Sequence, residues 1–570
     1  MEGFMDKSLN HSYSKLLLHL VELAFYIFLL SACAQSQTVN TVSSNEVYNF
    51  LTRMKARQFL ADYQEAAKPL SRMYIAQKFK ELEPFRPQMT VVERETYEFY
   101  ITEFNYELLS LSGDTEPSEL RWHLFSEELT DGIINVDVGY ALTAENANGL
   151  KNTLSTKDVK FYGYVYKNVG FYFNLDDNKQ WGSNINYLRL NTPQKGVISS
   201  TGTIITSYSW DLTTPPATNT LQELSYDEID AQFSWKVGIF NFSLEKMDNI
   251  WGFGENANVI LSNKAPSYPQ IKMRVHLSDK IDFVYFHGEL NSNATDTARS
   301  YYANSSGYSV FRDVDHTKYI AAHQIEMRLW KGVDVSVGES VVYSDRGPLL
   351  MYLLPVMFFK AGEHYNGDKD NCQIFGSLDL NLIKRTKLYF SLFIDELNTD
   401  QFFDQNDSRR QVAFTIGGHT YDILIDNLEL TAEYTRANPG PYSHKYPAVT
   451  YTNNGYVLGS WTGQNADDAY LSITYRPMFK VKVSLYNEVF RKGSPIPLYD
   501  QYSSNQGGYS FLDGKQHIER MIGAKINYQP LRDIFINFTA QFHSLKDETD
   551  PAQNYNKRFE FTASAAIGLW

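Results

Sequence analysis

From about residue 119 onward the apolar and polar positions alternate with a period of two. Ile534, Ile536, Phe538, Ala540 and Phe542 interleave with Phe535, Asn537, Thr539, Gln541 and His543. Ile522, Ala524, Ile526 and Tyr528 alternate with Gly523, Lys525 and Asn527, and Leu428, Leu430, Ala432 and Tyr434 with Glu429, Thr431, Glu433 and Thr435. Such runs predict antiparallel strands with one apolar and one polar face, which fit a membrane barrel or a soluble sandwich equally well. Turn spacing separates the two. Short turn signals near Lys280, Gly332, Arg385, Asp426, Met478 and Leu531 recur at intervals of roughly 41 to 53 residues. Each interval holds two strands of about ten residues and one long connection, the pattern of an outer-membrane barrel. Weaker turns near Val169 and Val237 bring the expected total to nine hairpins, or about 18 strands.

Residues 41–118 keep a different, helical period. Ser43-x-x-Glu46 and Thr90-x-x-Glu93 read as capping boxes. The first precedes Val47, Phe50, Leu51 and Met54, and the second precedes Tyr97, Tyr100, Ile101, Phe104 and Leu108. Between them a helix from Ser71 aligns Ile75, Phe79 and Leu82 until Pro84 and Pro87 stop it. Residues 1–34 read as a signal peptide: Lys7 and Lys15 precede the apolar run Leu23–Leu30, too short to span a bilayer. Ala32-Cys33-Ala34 fits ordinary cleavage before Gln35, while Leu30-Ser31-Ala32-Cys33 equally fits a lipobox with Cys33 acylated. Both readings export the chain. The expected division is therefore 1–34 signal peptide, 41–118 periplasmic helical bundle and 119–570 outer-membrane barrel.

Composition narrows the function classes. With 15% aromatic and 21% charged residues the chain is neither disordered nor a typical helical cytosolic enzyme. A net charge of −14 argues against nucleic acid as a partner. Two cysteines exclude a disulfide framework or a Cys-rich metal site, and no metal or cofactor is expected. Gly252-x-Gly254-x-x-Ala257 imitates a dinucleotide fingerprint but lacks a βαβ setting. Neither a Gly-x-Ser-x-Gly elbow nor a His-Glu-x-x-His pair occurs, so no enzyme is expected. After residue 34 the apolar runs are too short for a spanning helix, which leaves a closed barrel or a soluble β-protein.

The row Phe559, Phe561, Ala563, Ala565, Ile567 and Leu569 ends at Trp570. It reads as a last lipid-facing strand whose terminal aromatic is recognised by the barrel insertion machinery. Three long connections carry dense motifs. One runs Trp251-Gly252-Phe253-Gly254-Glu255-Asn256 to Leu261–Pro269. A second runs Gly338–Tyr343, Arg346, Tyr352, Pro355, Glu363-His364 and Asp370-Asn371. A third runs Glu433–Arg436, Pro441-Tyr442-Ser443-His444 and Leu458-Gly459. With Tyr48-x-x-Leu51-x-Arg53 and Pro69-Leu70-Ser71-Arg72, this set resembles the Wzi family of capsule-assembly outer-membrane proteins from about Val47 to the C-terminus. The chain departs from the family at Glu255-Asn256, where Pro-Gly is expected, and at Leu354, where Asn is expected.

That resemblance implies an 18-stranded barrel in the cell outer membrane with a periplasmic helical bundle at its mouth. It further implies a non-catalytic surface lectin that anchors capsular polysaccharide or exopolysaccharide. Sugar recognition needs aromatic faces and planar polar groups. Trp251, Tyr343, Tyr442 and Trp461 with Arg346, Glu363, Asp370 and His444 are the candidates to supply them. A loop folded into the barrel as a plug would use the same residues, with Arg346 merely paired to a carboxylate, and for any single residue that reading comes before direct sugar contact. The expected partners are the polysaccharide, outer-membrane lipid and the insertion machinery, for a monomer. The main alternative is a porin or solute channel, and the two differ in whether the interior is blocked.

Overall fold

The computed structural model describes residues 39–42, 45–112, 121–165, 169–182, 223–305, 308–397, 410–494, 509–514, 516–547 and 556–568. Residues 1–34, read above as a signal peptide and including Cys33, and the terminal Leu569 and Trp570 lie outside these residues. The chain is an outer-membrane β-barrel of 18 antiparallel strands. The strands in order are β1 (Gly132–Ala147), β2 (Leu150–Val165), β3 (Val169–Gly182), β4 (Glu223–Val237), β5 (Phe240–Met247) and β6 (Tyr268–Ser278). Next come β7 (Ile281–Thr295), β8 (Asp315–Trp330), β9 (Val333–Ser344), β10 (Asn371–Leu380), β11 (Thr386–Leu397) and β12 (Arg410–Tyr421). The last six are β13 (Leu428–Ala437), β14 (Ala466–Met478), β15 (Val481–Lys492), β16 (His517–Leu531), β17 (Ile534–Asp547) and β18 (Asn556–Ile567).

Closure joins β18 to β1, with Glu560 opposite Ala147 and Ile567 opposite Tyr140. Where β18 stops, the short strand Phe125–Leu129 pairs with Gly132–Val136 and covers the rest of the β1 edge. An unpaired edge in lipid would leave backbone groups without partners, so closure is obligatory. The period-two pattern sorts side chains by wall face. Phe538, Phe542, Phe559, Phe561 and Ile567 are exposed on the outer wall, whereas His543 and Glu560 are buried towards the lumen. That is the distribution for a wall between hydrocarbon and a polar interior.

The tight turns lie where the sequence spacing puts them, all at one end of the barrel. Pro477 and Pro530 sit at register shifts, between Tyr475 and Met478 and between Tyr528 and Leu531. A bulge accommodates the missing N–H. One connection at the opposite end departs from expectation. Asn148-Gly149 joins β1 to β2 with φ of 50° and 89°, a two-residue hairpin rather than a long loop. Asn-Gly favours such left-handed turns.

Four helices precede the barrel: α1 (Val47–Ala56), α2 (Arg72–Leu82), α3 (Val91–Glu103) and α4 (Asn105–Ser112). Thr90 and Glu93 form the full reciprocal capping box of α3. Ser71 caps α2, its Oγ accepting from the Tyr74 N–H at 3.2 Å. Ser43 lies outside the described residues; at the start of α1 it is Asn45 Oδ1 that accepts from the Val47 N–H at 2.9 Å. Val47, Leu51, Met54, Ile75, Phe79, Leu82, Tyr97 and Phe104 bury together between the helices. No described helix is long and apolar enough to cross a membrane.

Candidate functional site: the occupied lumen

The helices are fastened to the inner wall by charge. Arg53 of α1 meets Glu93 at 2.7 Å, Asp422 at 2.6 Å and Glu429 at 2.7 Å. Lys55 sits between Asp334 of β9, at 2.7 Å, and Asp379 of β10, at 2.6 Å. Burial alone would lower the Lys55 ammonium's pKa, but Asp379 and Asp334 outweigh it and raise it above the ordinary lysine value. Beyond α1, Glu65 takes Lys387 of β11 at 2.7 Å and the Thr52 hydroxyl at 2.8 Å. Burial opposes its charge, yet Lys387, Lys68 and Lys55 together hold its carboxyl well below the usual carboxylate range. Glu326 of β8 accepts from the Glu65 and Ala66 N–H groups at 3.2 and 3.1 Å. Asp62 pairs with Arg328.

A second element descends from the opposite end. The β5–β6 connection enters the lumen and lays Ile250-Trp251 antiparallel to Ala67-Lys68, with Trp251 opposite Ala67. Trp251 is fully buried, 5.2 Å from the Phe286 ring and 6.0 Å from Phe375. The chain then wraps around Glu433 of β13. Its carboxylate accepts from the N–H groups of Glu255 at 2.5 Å, Asn256 at 3.1 Å and Ala257 at 2.9 Å, and from the Tyr389 hydroxyl at 2.7 Å. The glycine pattern that imitates a dinucleotide fingerprint thus cradles a carboxylate of the protein itself. Gly252 has φ of 84°, and a Cβ on it would stand 2.7 Å from Ile260 Cδ1. Glu255 lies 2.8 Å from His419. Burial raises this carboxyl, but His419 prevails and brings it down to about 2.

The β13–β14 connection closes over the same loop. Tyr442 donates its hydroxyl to Val259 O at 2.8 Å and packs 4.9 Å from Phe393. Trp461 Nε1 donates to Asn256 O at 2.9 Å, and the ring lies 4.9 Å from Phe490. Asn453 donates to Pro266 O at 3.0 Å. Trp251, Tyr442 and Trp461 are therefore joined in one buried plug, and as placed none presents a ring to solvent. His444 stands nearer the surface, its Nδ1 accepting from the Tyr446 N–H at 3.2 Å. Burial, followed by the nearby Lys445 charge, moves its pKa down to about 4.

The remaining candidates go elsewhere. The β9–β10 connection carries the helix α5 (Phe359–Tyr365) and packs Tyr352 and Phe359 on the outer face against Tyr285, Ala321, Val341 and Tyr343. Tyr343 is an outward residue of β9, buried beneath this loop. Arg346 pairs with Asp370, which also accepts the Tyr352 hydroxyl at 2.7 Å. Glu363 is buried and takes Lys360 at 2.5 Å. The eight candidates thus divide into a plug set, an outer-wall set and His444.

What the plug leaves open lies on the side of β14 to β18 and β1. A polar cavity of about 1060 Å³ is lined there by Tyr470, Tyr486, Lys525, Gln541, His543 and Glu560, and Arg53, Glu93 and Tyr100 bound it at the helix end. Lys525 Nζ lies 4.7 Å from the Tyr486 ring centre. Tyr486 donates to Gln541 at 2.6 Å, Gln541 donates to Glu560 at 2.8 Å, and His543 lies 2.6 Å from Glu519. Rings beside paired amides and carboxylates are the chemistry that takes a sugar. The sequence pattern already marks Lys525, Gln541 and His543 as polar-face positions, but only closure brings them around one space.

No protein-family model matches the chain, and no curated protein matches it. Among solved structures it is similar to Wzi, an outer-membrane protein involved in group 1 capsule assembly in Escherichia coli and described as a carbohydrate-binding β-barrel. The identity is 10%, over 93% of this chain and 99% of that one, with a TM-score of 0.54. Acinetobacter baumannii OccAB2 is 9% identical over 76% of this chain and 97% of its own, with a TM-score of 0.41. Pseudomonas aeruginosa OprD is 10% identical over 77% and 94%, with a TM-score of 0.40. At 10% identity the likeness to Wzi is one of fold.

Proposed function

We propose that the chain belongs with the Wzi family and acts as a surface lectin, holding capsular polysaccharide or exopolysaccharide at the outer membrane. In this reading the tight-turn end and the helical bundle are periplasmic, the long loops face outward, and the protein works as a monomer that binds without catalysis. One observation supports the proposal: the side of the lumen along β6 to β13 is filled by α1 and two inserted loops. A solute channel needs a continuous wet path. Here the remaining polar cavity has Arg53, Glu93 and Tyr100 of the helices in its lining at the tight-turn end. A closed wall with hydroxyl-, amide- and carboxylate-lined space suits retention of a polymer better than passage of a solute. The fold shared with a carbohydrate-binding capsule protein adds support.

The test is a glycan array probed with the folded, full-length barrel, alongside planar-bilayer recording of the same preparation. The lectin reading expects selective binding to acidic or neutral polysaccharide fragments and negligible steady conductance. Binding to none of them, with ohmic conductance, would replace it with the channel reading.

A further inference from the structure

Two pairs of aspartates on the luminal wall share one arrangement but not one neutralising partner. Asp334 of β9 and Asp379 of β10 stand directly opposite each other, and the Lys55 ammonium lies between them at 2.7 and 2.6 Å. Asp158 of β2 and Asp176 of β3 are opposed in the same way. Both point inward, because Val159, Phe161 and Phe173 beside them are exposed on the outer wall. Among the described residues the cation in reach is Lys160 of β2 itself, 3.5 Å from Asp158 Oδ2. Asp158 is only 1% exposed, yet neither of its carboxylate oxygens has a hydrogen-bond partner among the described residues. Asp176 Oδ1 has none either. Like charges directly opposed on adjacent strands destabilise each other, and burial raises the cost.

The neighbouring inward side chains add further oxygens. Asn174, the next inward residue of β3, is 8% exposed and its side chain lies against the Asp176 carboxylate. Its Oδ1 also lacks a hydrogen-bond partner among the described residues. Glu228 of β4 stands opposite Asp176, and Asp230 stands opposite Asn174. The nearby Lys246 ammonium donates to Ile229 O at 2.6 Å and to Ser267 Oγ at 3.1 Å. Directly opposed residues on one face have Cβ atoms about 4.5–5.5 Å apart. Two carboxylates so placed can grip one ion at the roughly 2.3–2.6 Å that calcium–oxygen bonds require.

We propose that Asp158, Asp176 and the Asn174 side-chain carbonyl hold a calcium ion, which does between β2 and β3 what Lys55 does between β9 and β10. An all-oxygen set selects a hard divalent cation. Calcium accepts an irregular cage, whereas magnesium demands octahedral geometry and keeps its waters. The oxygens are closed to solvent, so the ion is taken up as the barrel folds and is then retained. Arg53 and Lys55 of the plug serve β9 to β13, across the lumen from this pair. The site is independent of the lectin reading.

The full chain, refolded in dodecylphosphocholine micelles and stripped with EGTA, is dialysed against calcium-45. Wild type is expected to bind one calcium ion with a dissociation constant on the order of 10⁻⁴ M or tighter, and calcium should raise its melting midpoint. Terbium serves as a luminescent substitute, sensitised by Tyr162 and Tyr172, which oppose each other two inward positions further along the same strands. Asp158→Asn combined with Asp176→Asn should weaken calcium binding at least about tenfold and abolish the terbium emission. The double variant should also melt above wild type in EGTA, because the opposed charges are gone. Asp158→Asn alone takes its place if the double variant lacks heat-modifiable folding. Asp345→Asn, in the cluster with Asp296 and His316 at the opposite end from the tight turns, leaves binding unchanged. No bound calcium in wild type, or equal binding by wild type and the double variant, overturns the proposal. A wild-type melting midpoint that follows pH and ignores calcium also overturns it, and puts a shared proton between the carboxylates instead.

Discussion

Glu433 shows how one inward carboxylate can position a loop. It gathers three consecutive backbone N–H groups and a tyrosine hydroxyl. Glu433→Ala strands those donors, each costing about 1–3 kcal/mol when buried without a partner. The expected result is a barrel that still shifts on heating but whose 248–267 loop becomes susceptible to protease; an unchanged digestion pattern would count against the cradle. Trp251→Ala removes a fully buried ring between Phe286 and Phe375, and about 3–5 kcal/mol of local stability should go with it, read as a lower melting midpoint. These roles were only partly legible in the sequence. A ring such as Trp251 or Trp461 serves a sugar platform and a plug equally well, and composition cannot say which. The Gly252–Ala257 pattern is visible, but its ligand comes from a strand about 180 residues later, which only barrel closure reveals.

At the scale of elements, strand positions and tight turns were the most legible, because period-two alternation and turn residues act locally. Lys280, Gly332, Arg385 and Asp426 each stand in or beside an observed turn, and Phe538, Phe542 and Phe559 face outward as read. The route of the β9–β10 loop was not legible. Its run from Leu349 to Phe359 is apolar in any setting, and only the outward parity of Tyr285 and Tyr343 sends it over the wall. The seating of α1 makes a clear prediction. Lys55→Met removes the cation shared by Asp334 and Asp379, leaving Asp334 only its pair with Arg328 at 3.1 Å, and loss of one partner from such a buried group costs about 3–5 kcal/mol. Conductance in planar bilayers should then rise above the wild-type baseline.

The pH dependence of this seat follows from Glu65 and Lys55. Because the Glu65 pKa is lowered in the folded state, its contribution is present above the ordinary carboxylate value and is lost only as pH falls through its depressed value. Lys55 is raised, so its contribution holds below the ordinary lysine value and is lost only as pH rises through the raised one. The plug should therefore stay seated at about pH 4, near the value at which an ordinary glutamate titrates. A conductance step near that pH would place its anchors elsewhere.

For the molecule as a whole, the charge of −14 bears on the proposed partner. An acidic polysaccharide is repelled at long range, so retention must come from local contacts or from a bridging cation. Raising salt should then strengthen binding of an acidic polymer, the opposite of a basic lectin's response. The most direct measurement is the division of polysaccharide between cells and medium in the native host, with the gene intact, deleted and restored. Deletion should move polymer into the medium without trapping it inside, and restoration should return it to the surface. Unchanged surface polymer, together with reduced uptake of small solutes, would contradict the lectin reading and favour a channel.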